Sequence, residues 1–343
     1  MKSDTMNDRY QLVILGHEWD LYKIAYSDIL QNKSVTYIGG YKPKSKFFRF
    51  LYKVHLSPKI NQYVNLPFKR LWNKYFLSNI DKEAKTVFLI FQNWLSIDNT
   101  IHTIDFLRDT YKKGRIVLFL QDIVASFKNM YDNTPIDILL YKEKCDIVIT
   151  YDKNDSRKYG LLYHPTVFSH KPLPIYEKFD YDVFFIGKYK GRLDLLLDIY
   201  KRLSSYGLNC KFIVLNVPKE KQQMPEKIEY INHIIGYLEV LQYINRSKCI
   251  LEILQPGAVG YTYRLWEAIS YNKYLISNNQ SLRGSDFYES KYISIFNTVN
   301  DIDVSFMKET ETPYDNINPY SKDISPYNLV DFIDKRLNVR ILF

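Results

Sequence analysis

Apolar residues in this chain occur in two kinds of run. Short continuous blocks of strand length alternate with longer stretches in which apolar positions recur about every 3.6 residues. Tyr10 to Leu15 (YQLVIL) predicts a first strand ending at Gly16, and Ser34 to Ile38 a second ending at Gly39-Gly40. Thr86 to Phe91 (TVFLIF), Arg115 to Leu120 and Asp146 to Thr150 predict three more. Between them, Asn99 to Lys113 carries Ile101, Ile104 and Leu107 at helical spacing, with Phe106 a weaker fit. Blocks that are apolar throughout, rather than alternating, mean strands buried on both faces and hence a parallel α/β sheet.

The rhythm breaks near residues 164–180, where His164-Pro165, Lys171-Pro172 and Leu173-Pro174 predict a linker. It then restarts. Asp182 to Ile186, Lys211 to Asn216, Ile228 to Ile235, Cys249 to Leu254 and Tyr274 to Ser277 read as strands. Arg192 to Ser204, Leu238 to Arg246 and Tyr261 to Ser270 read as helices. A length of 343 residues fits two domains, and the pattern supplies two α/β units in succession.

Composition narrows the class. A hydrophobic content of 46% excludes wholesale disorder. The three cysteines, Cys145, Cys210 and Cys249, lack metal-ligand spacing and are expected as packed small hydrophobes in a reducing cytoplasm. No apolar run approaches the roughly 20 residues of a membrane span, and the polar N-terminus does not read as a signal peptide. The net charge of +9 is localised. Residues 41–80 hold nine Lys and Arg and no Asp or Glu, so the rest of the chain carries 38 of each sign.

The most informative stretch is Leu251 to Asn279. A buried strand runs into Gln255-Pro256-Gly257, and Gly260 follows just before a helix. Glycines there let a ligand approach the backbone, and the helix start favours phosphate. Arg264 and Glu267, three apart, share one helix face. Arg264 can fork onto a diphosphate and Glu267 can accept from ribose hydroxyls. The alternative is a tight strand–helix turn with a surface Arg–Glu pair. A second turn, Phe185 to Arg192, offers Gly187 for close approach and Lys188 and Arg192 for neutralising phosphate; a solvated basic turn is the other explanation. Both turns sit at carboxyl ends of parallel strands, where open α/β sheets bind ligands.

Four pieces, YDVFFIGKYKGR (Tyr181 to Arg192), YLEVLQYINRSKCILEILQPG (Tyr237 to Gly257), GYTYRLWEAI (Gly260 to Ile269) and KYLISNN with the later DFY, resemble the nucleotide-sugar domain of GT-B glycosyltransferases. The likeness points to those of bacterial capsule and lipopolysaccharide O-antigen assembly, and covers about 110 residues, Tyr181 to Tyr288. It implies two Rossmann-like domains facing each other across a cleft. Residues 1–170 would bind acceptor, residues 171–320 would bind donor, and a C-terminal helix within 321–343 would cross back to the first domain. The resemblance sets Glu267 at the donor ribose and Arg264 at the diphosphate, with the amides of Gly260, Tyr261 and Thr262 and the Gly257 turn. It sets Gly187, Lys188 and Arg192 at the facing phosphate loop, and Tyr237 and Leu238 near the base. Retaining families often carry a second Glu eight residues before the ribose acid; here that position is Val259, so anomeric outcome stays open.

An inverting reaction needs a base near the acceptor hydroxyl. His17, Glu18 and Asp20 follow the first strand and Asp122 the fourth; Asp122 and His17 are the candidates, with capping of the next helix as the alternative for the aspartates. Asn93 and Trp94, after the third strand, could hold acceptor sugar by hydrogen bonding and stacking. No Walker, HExxH or paired CxxC pattern occurs. Asp301 and Asp303 have DxD spacing in a late loop, and the expectation is an enzyme without metal or other cofactor.

The cationic segment reads KSKFFRFLYKVHL over residues 44–56 and LPFKRLWNKYFLS over 66–78. A helical wheel sets Phe47, Phe50, Leu51 and Val54 on one face and Lys46, Arg49 and Lys53 on its flank, with Lys69 and Arg70 repeating the mix. A basic aromatic amphipathic helix is a membrane-surface pattern. The alternative is an aromatic face packed on its own domain. The expectation is a hexosyltransferase acting on a lipid-linked glycan, cytoplasmic or peripheral on the inner face of the plasma membrane. The other readings are a non-catalytic nucleotide-sugar-binding or assembly subunit, or a single-stranded nucleic-acid binder; the last is disfavoured because the rest of the chain is charge-balanced.

Overall fold

The computed structural model describes residues 9–40, 43–61, 63–64, 66–129, 133–174, 178–224, 226–255, 257–288, 291–308 and 321–342. Lys42 of the cationic segment, Pro256 of the glycine turn and residues 175–177 of the Pro-rich stretch lie outside them. The chain divides into two compact units, residues 1–167 with 326–343, and residues 168–325.

The first unit is built on a seven-stranded parallel sheet. Its strands are β1 (Arg9–Gly16), β2 (Val35–Gly39), β3 (Thr86–Phe91), β4 (Arg115–Leu120), β5 (Ile147–Thr150) and β6 (Leu162–Tyr163). The seventh is the last strand of the chain, Arg340–Ile341, which pairs with the start of β1 while β2 pairs with its end. On the other edge of β1 the order runs β3, β4, β5, β6. Every residue of β3 is buried, as are Leu12 to Leu15 of β1, which is why these blocks are apolar without alternation. The helix Pro326–Leu337 belongs to this unit and buries Leu329, Val330 and Ile333.

The second unit has a six-stranded parallel sheet: β7 (Tyr181–Lys188), β8 (Cys210–Leu215), β9 (Ile228–Ile231), β10 (Ser247–Glu252), β11 (Tyr274–Ser277) and β12 (Ile293–Ile295). The spatial order is β9-β8-β7-β10-β11-β12, the doubly wound dinucleotide-fold order with its switch point between β7 and β10. The helix Leu193–Ser205 returns along the sheet and buries Leu193, Leu196, Leu197, Ile199 and Leu203. All three cysteines are buried. Burial pushes the Cys145 and Cys210 thiols up to about 12, so they behave as small hydrophobes.

Two sequence expectations change. Asn99 to Lys113 is not one helix: the structure has Leu95–Ile101 and Thr103–Thr110, broken at His102, whose φ is 50°. Buried Asp98 accepts from the Ile104 amide at 3.1 Å, restarting the second helix. The break resets the register, which brings Phe106 inward with Ile104 and Leu107. The second is the alternative reading of the helix Lys46–His55 as an aromatic face packed on its own domain: the face that the helical wheel groups is not the inward one. Tyr52 and, just past the helix, Leu56 pack with Trp72, Ile97 and Ile101, while Phe47, Phe50, Leu51 and Val54 point to solvent. Among the described residues no helix is long and apolar enough to cross a membrane.

Candidate functional site

The carboxyl ends of β7 and β10 meet at the switch point of the second sheet. β7 ends on Lys188, and the turn continues through Lys190 and Gly191, with φ of 40° and 72°, to Arg192 at the start of the next helix. From the β10 side come Ile253 to Gln255 and then the helix Tyr263–Ser270, with Arg264 in its first turn. Arg192 donates through Nη1 to the Ile253 carbonyl, and its guanidinium lies 5.5 Å from the Phe185 ring centroid. Its buried Nε has no hydrogen-bond partner among the described residues. Lys190 Nζ donates to Gln255 Oε1 at 2.6 Å, tying the two turns together. Burial, and then repulsion from Arg264, hold the Arg192 guanidinium down at about 10. A buried arginine and a second, Glu267-paired arginine therefore lie within electrostatic reach of each other where a parallel sheet ordinarily takes its ligand.

Gly187 does not leave room for a ligand, as the turn alone suggests. A Cβ there would meet Arg192 Nη2 at 2.7 Å and the Phe185 ring at 3.0 Å. The glycine admits the guanidinium. Gly257, with φ of 85°, has open space beside it.

Glu267 is fully buried, and both of its carboxylate oxygens are taken. Oε1 accepts from the Tyr237 hydroxyl at 2.6 Å and Oε2 from Arg264 Nη1. Burial raises this carboxyl, and Arg264 opposes that shift. Tyr237, itself buried, has its phenol pushed well up, first by burial and then by Glu267. In this arrangement Glu267 orients Arg264 rather than presenting itself to a ribose, and Tyr237 holds Glu267 rather than a base. Leu238, the next residue, is exposed and lines a groove of ≈ 540 Å³ with Gly236, Glu239 and Gln242.

The loop before Arg264 is held from below by Thr262 together with Glu252, Ser277, Asn279 and Ser281, to which the sequence alone assigns no role. Glu252, the last residue of β10, is buried and accepts from Thr262 Oγ1 and Ser277 Oγ. Thr262 also accepts the Arg264 amide at 3.1 Å, capping the helix. Asn279 donates to the Gly260 carbonyl at 3.1 Å, and Ser281 to the Val259 carbonyl at 2.8 Å. Tyr261 packs its ring against Trp266 and Phe287, so its backbone rather than its side chain is what the loop offers. The signal for this network was present in the sequence: an acid inside the apolar run ILEIL, and a polar cluster closing β11.

In the first unit the ends of β1, β3 and β4 carry the other candidates. Trp94 is 1% exposed and donates its indole N–H to the Gly16 carbonyl at 2.9 Å, so it cannot stack on a sugar. Asn93 donates to the same carbonyl at 3.1 Å, and its buried Oδ1 has no partner among the described residues. His17 Nδ1 accepts the Trp19 amide at 3.0 Å, which leaves the neutral ring protonated at Nε2. With its lone pair engaged, His17 is a donor here and not a base. Its ring stacks on Tyr22 at 5.3 Å, and Tyr37 donates to its carbonyl at 2.7 Å. Asp122 ends the β4 loop half-buried and accepts the Ile123 amide at 2.9 Å. Gln92, Gln121 and Tyr22 form a linked polar set beside it, unforeseen because glutamines after strands carry no motif.

Asp301 and Asp303 turn into their own loops. Asp301 accepts the Thr298 amide at 2.8 Å and Asp303 the Ser305 amide at 2.8 Å. Among the described residues no cluster of three or more potential ligands has metal-site geometry. Within the cationic segment Arg70 is already committed, pairing with Asp109 and lying 5.8 Å from the Phe106 ring centroid. Lys69 is half-buried beside it, whereas Lys46, Arg49 and Lys53 are exposed.

Neither a protein-family profile nor a curated protein matches the sequence. Solved structures do. A trehalose-6-phosphate synthase aligns over 96% of this chain and 99% of its own, at 11% identity and a TM-score of 0.58. An α-glucosyltransferase in complex with UDP and a 13-mer DNA aligns over 96% of this chain and 100% of its own, at 10% identity and a TM-score of 0.58. At that identity the likeness speaks for fold alone. The chain has the GT-B glycosyltransferase fold, two α/β domains each on a parallel sheet.

Proposed function

We propose that this protein is a glycosyltransferase that moves a hexose-like sugar from a nucleoside diphosphate donor to a glycan acceptor. The observation that carries the reading is the gathering of Arg192, Arg264, Lys188 and Lys190 at the switch point, with Arg192 fixed on the Ile253 carbonyl and Lys190 on Gln255. Cations that repel one another are stabilised by a polyanion, and a diphosphate leaving group supplies one. In the transfer, the bond from the anomeric carbon to the β-phosphate oxygen breaks and its electron pair stays on the diphosphate. A bond from that carbon to the acceptor oxygen forms, and the acceptor proton passes to a base. Arg192, Arg264 and Lys188 would meet the developing charge, without a metal. Asp122 is the proposed base, since His17 already has its lone pair engaged. Asn93 Oδ1 would accept from the acceptor sugar. The acceptor is proposed to be a lipid-linked glycan of bacterial cell-surface polysaccharide assembly, such as capsule or O-antigen, at the inner face of the plasma membrane; the resemblance of Tyr181 to Tyr288 supports this.

Isothermal titration with UDP and GDP, followed by a donor-hydrolysis panel, tests the reading. Binding of at least one nucleoside diphosphate, weakened by Arg264→Ala and by Glu267→Ala, is expected. No binding to either would sink it. Tight binding without hydrolysis or transfer of any donor would instead identify a non-catalytic binding subunit.

A further inference from the structure

We propose that the Lys46–His55 helix and the loop after it form an insertion surface for an anionic lipid bilayer. The inference deepens the lipid-linked acceptor reading, but it stands on a surface separate from the donor site.

The helix has three faces. Tyr52, His55 and, just beyond the helix, Leu56 fasten it to the unit: Tyr52 meets Trp72 edge-on at 4.9 Å, and His55 accepts from the Trp72 indole at 3.0 Å. The neighbouring face carries Phe47, Phe50, Leu51 and Val54, all exposed, with Phe47 at 65% and Phe50 at 63%. The remaining face carries Lys46, Arg49 and Lys53, also exposed. Packing to the protein is thus complete without the apolar face, which is left to water.

The following loop adds a second apolar element. Tyr63, Val64, Phe68 and Leu71 are exposed, Phe68 at 74%. Phe68 has a φ of 63°, a left-handed backbone that a bulky L residue rarely adopts, and its ring gains no burial in return. His55 ties the loop to the helix by its 2.6 Å contact with the Pro67 carbonyl. Most of the large exposed hydrophobic residues of the described chain lie between Phe47 and Leu71.

Charge selects the partner. Residues 41–80 contain no acidic residue, and Lys44, Lys59 and Lys74 add exposed cations to the same segment. A second copy would set this one-signed surface against itself, which is repulsive. Protein interfaces deplete lysine. Single-stranded nucleic acid would stack on Phe47, Phe50, Tyr63 and Phe68 but leave the aliphatic Leu51, Val54, Val64 and Leu71 in water. An anionic leaflet satisfies both features, since apolar groups enter the acyl boundary and lysines remain at the headgroups.

The test is sedimentation of the full chain with vesicles of phosphatidylcholine alone, or with about one third phosphatidylglycerol. Binding to the anionic vesicles only, weakening with salt, is expected. Lys46→Gln/Arg49→Gln/Lys53→Gln should lower partitioning by about a hundredfold, at about fivefold per charge. Phe47→Ser/Phe50→Ser should lower it at least about tenfold. Because the native cysteines are buried, Phe50→Cys can carry an environment-sensitive dye, whose emission should shift to the blue on vesicles. UDP titration of each variant checks the donor site independently and should match the parent chain. Absent anionic binding, equal binding by both variants, or a dye that stays in water overturns the proposal. So does a concentration-dependent dimer that Phe47→Ser/Phe50→Ser abolishes.

Discussion

Replacing Arg192 with methionine should make the ligand-free protein more stable and remove most of its response to nucleotide. Burial and, secondarily, Arg264 bring Arg192 down from its ordinary value to about 10. That difference corresponds to roughly 3 kcal/mol against the charged form. A base whose folded value is depressed carries its full penalty at neutral pH, and the penalty fades only as pH rises through about 10. Methionine keeps a long apolar stem against Phe185 while removing the charge. It also forfeits the bond to the Ile253 carbonyl, a loss of about 1 kcal/mol. The net gain is about 2 kcal/mol, or a rise in Tm of about 4–8 °C for a unit of this size. Wild type should be stabilised by about 2.7 kcal/mol at a nucleotide concentration a hundredfold over Kd, and the variant should lose most of that shift. Thermal melts with and without UDP or GDP read both quantities. A variant that melts lower than wild type and keeps its nucleotide shift would refute the idea that Arg192 is held under repulsion for a polyanion.

Gly187→Ala places a methyl 2.7 Å from Arg192 Nη2 and should displace the guanidinium, weakening nucleotide binding by about tenfold or more with unchanged circular dichroism. Gly16→Ala brings a methyl within 2.4 Å of the Tyr37 ring, which is hydrogen-bonded to both the carbonyl and the amide of His17. Urea melts should show a loss of about 1–3 kcal/mol, relieved when Tyr37 is also truncated. Burial raises the Glu252 carboxyl, so its charged form burdens the fold above that raised value and the burden disappears on acidification. Glu252→Gln should therefore be more stable than wild type at pH 8, roughly, with the gap closing towards pH 5; a gap that widens in acid would contradict this.

Much of the fold was legible because burial on both faces of a parallel strand leaves a plain trace. β3, β4 and β11 were bounded to the residue by their apolar blocks, whereas β7 runs one residue past Gly187 to Lys188 and β10 stops at Glu252, two residues before the expected Leu254. The two-residue strands β6 and Arg340–Ile341 were not foreseen, since pairing that short rests on a neighbour already in place. Periodicity also read through the break at His102, because Asp98 restarts the helix with a side-chain bond that no spacing rule reports.

The order of residues is enough to show that two α/β units follow one another, that cations and glycines gather near the carboxyl ends of β7 and β10, and that all the excess positive charge lies in residues 41–80. What each side chain does there was decided by tertiary structure. Trp94 and Glu267 look like ligand contacts in the linear chain, yet each is buried against partners far along it, the Gly16 carbonyl and Tyr237. On the Lys46–His55 helix, the identity of the outward face depended on where Trp72 and Ile97 stand. Hydrophobicity is a property of a residue, but burial is a property of its neighbours, and those neighbours are brought together only by the fold.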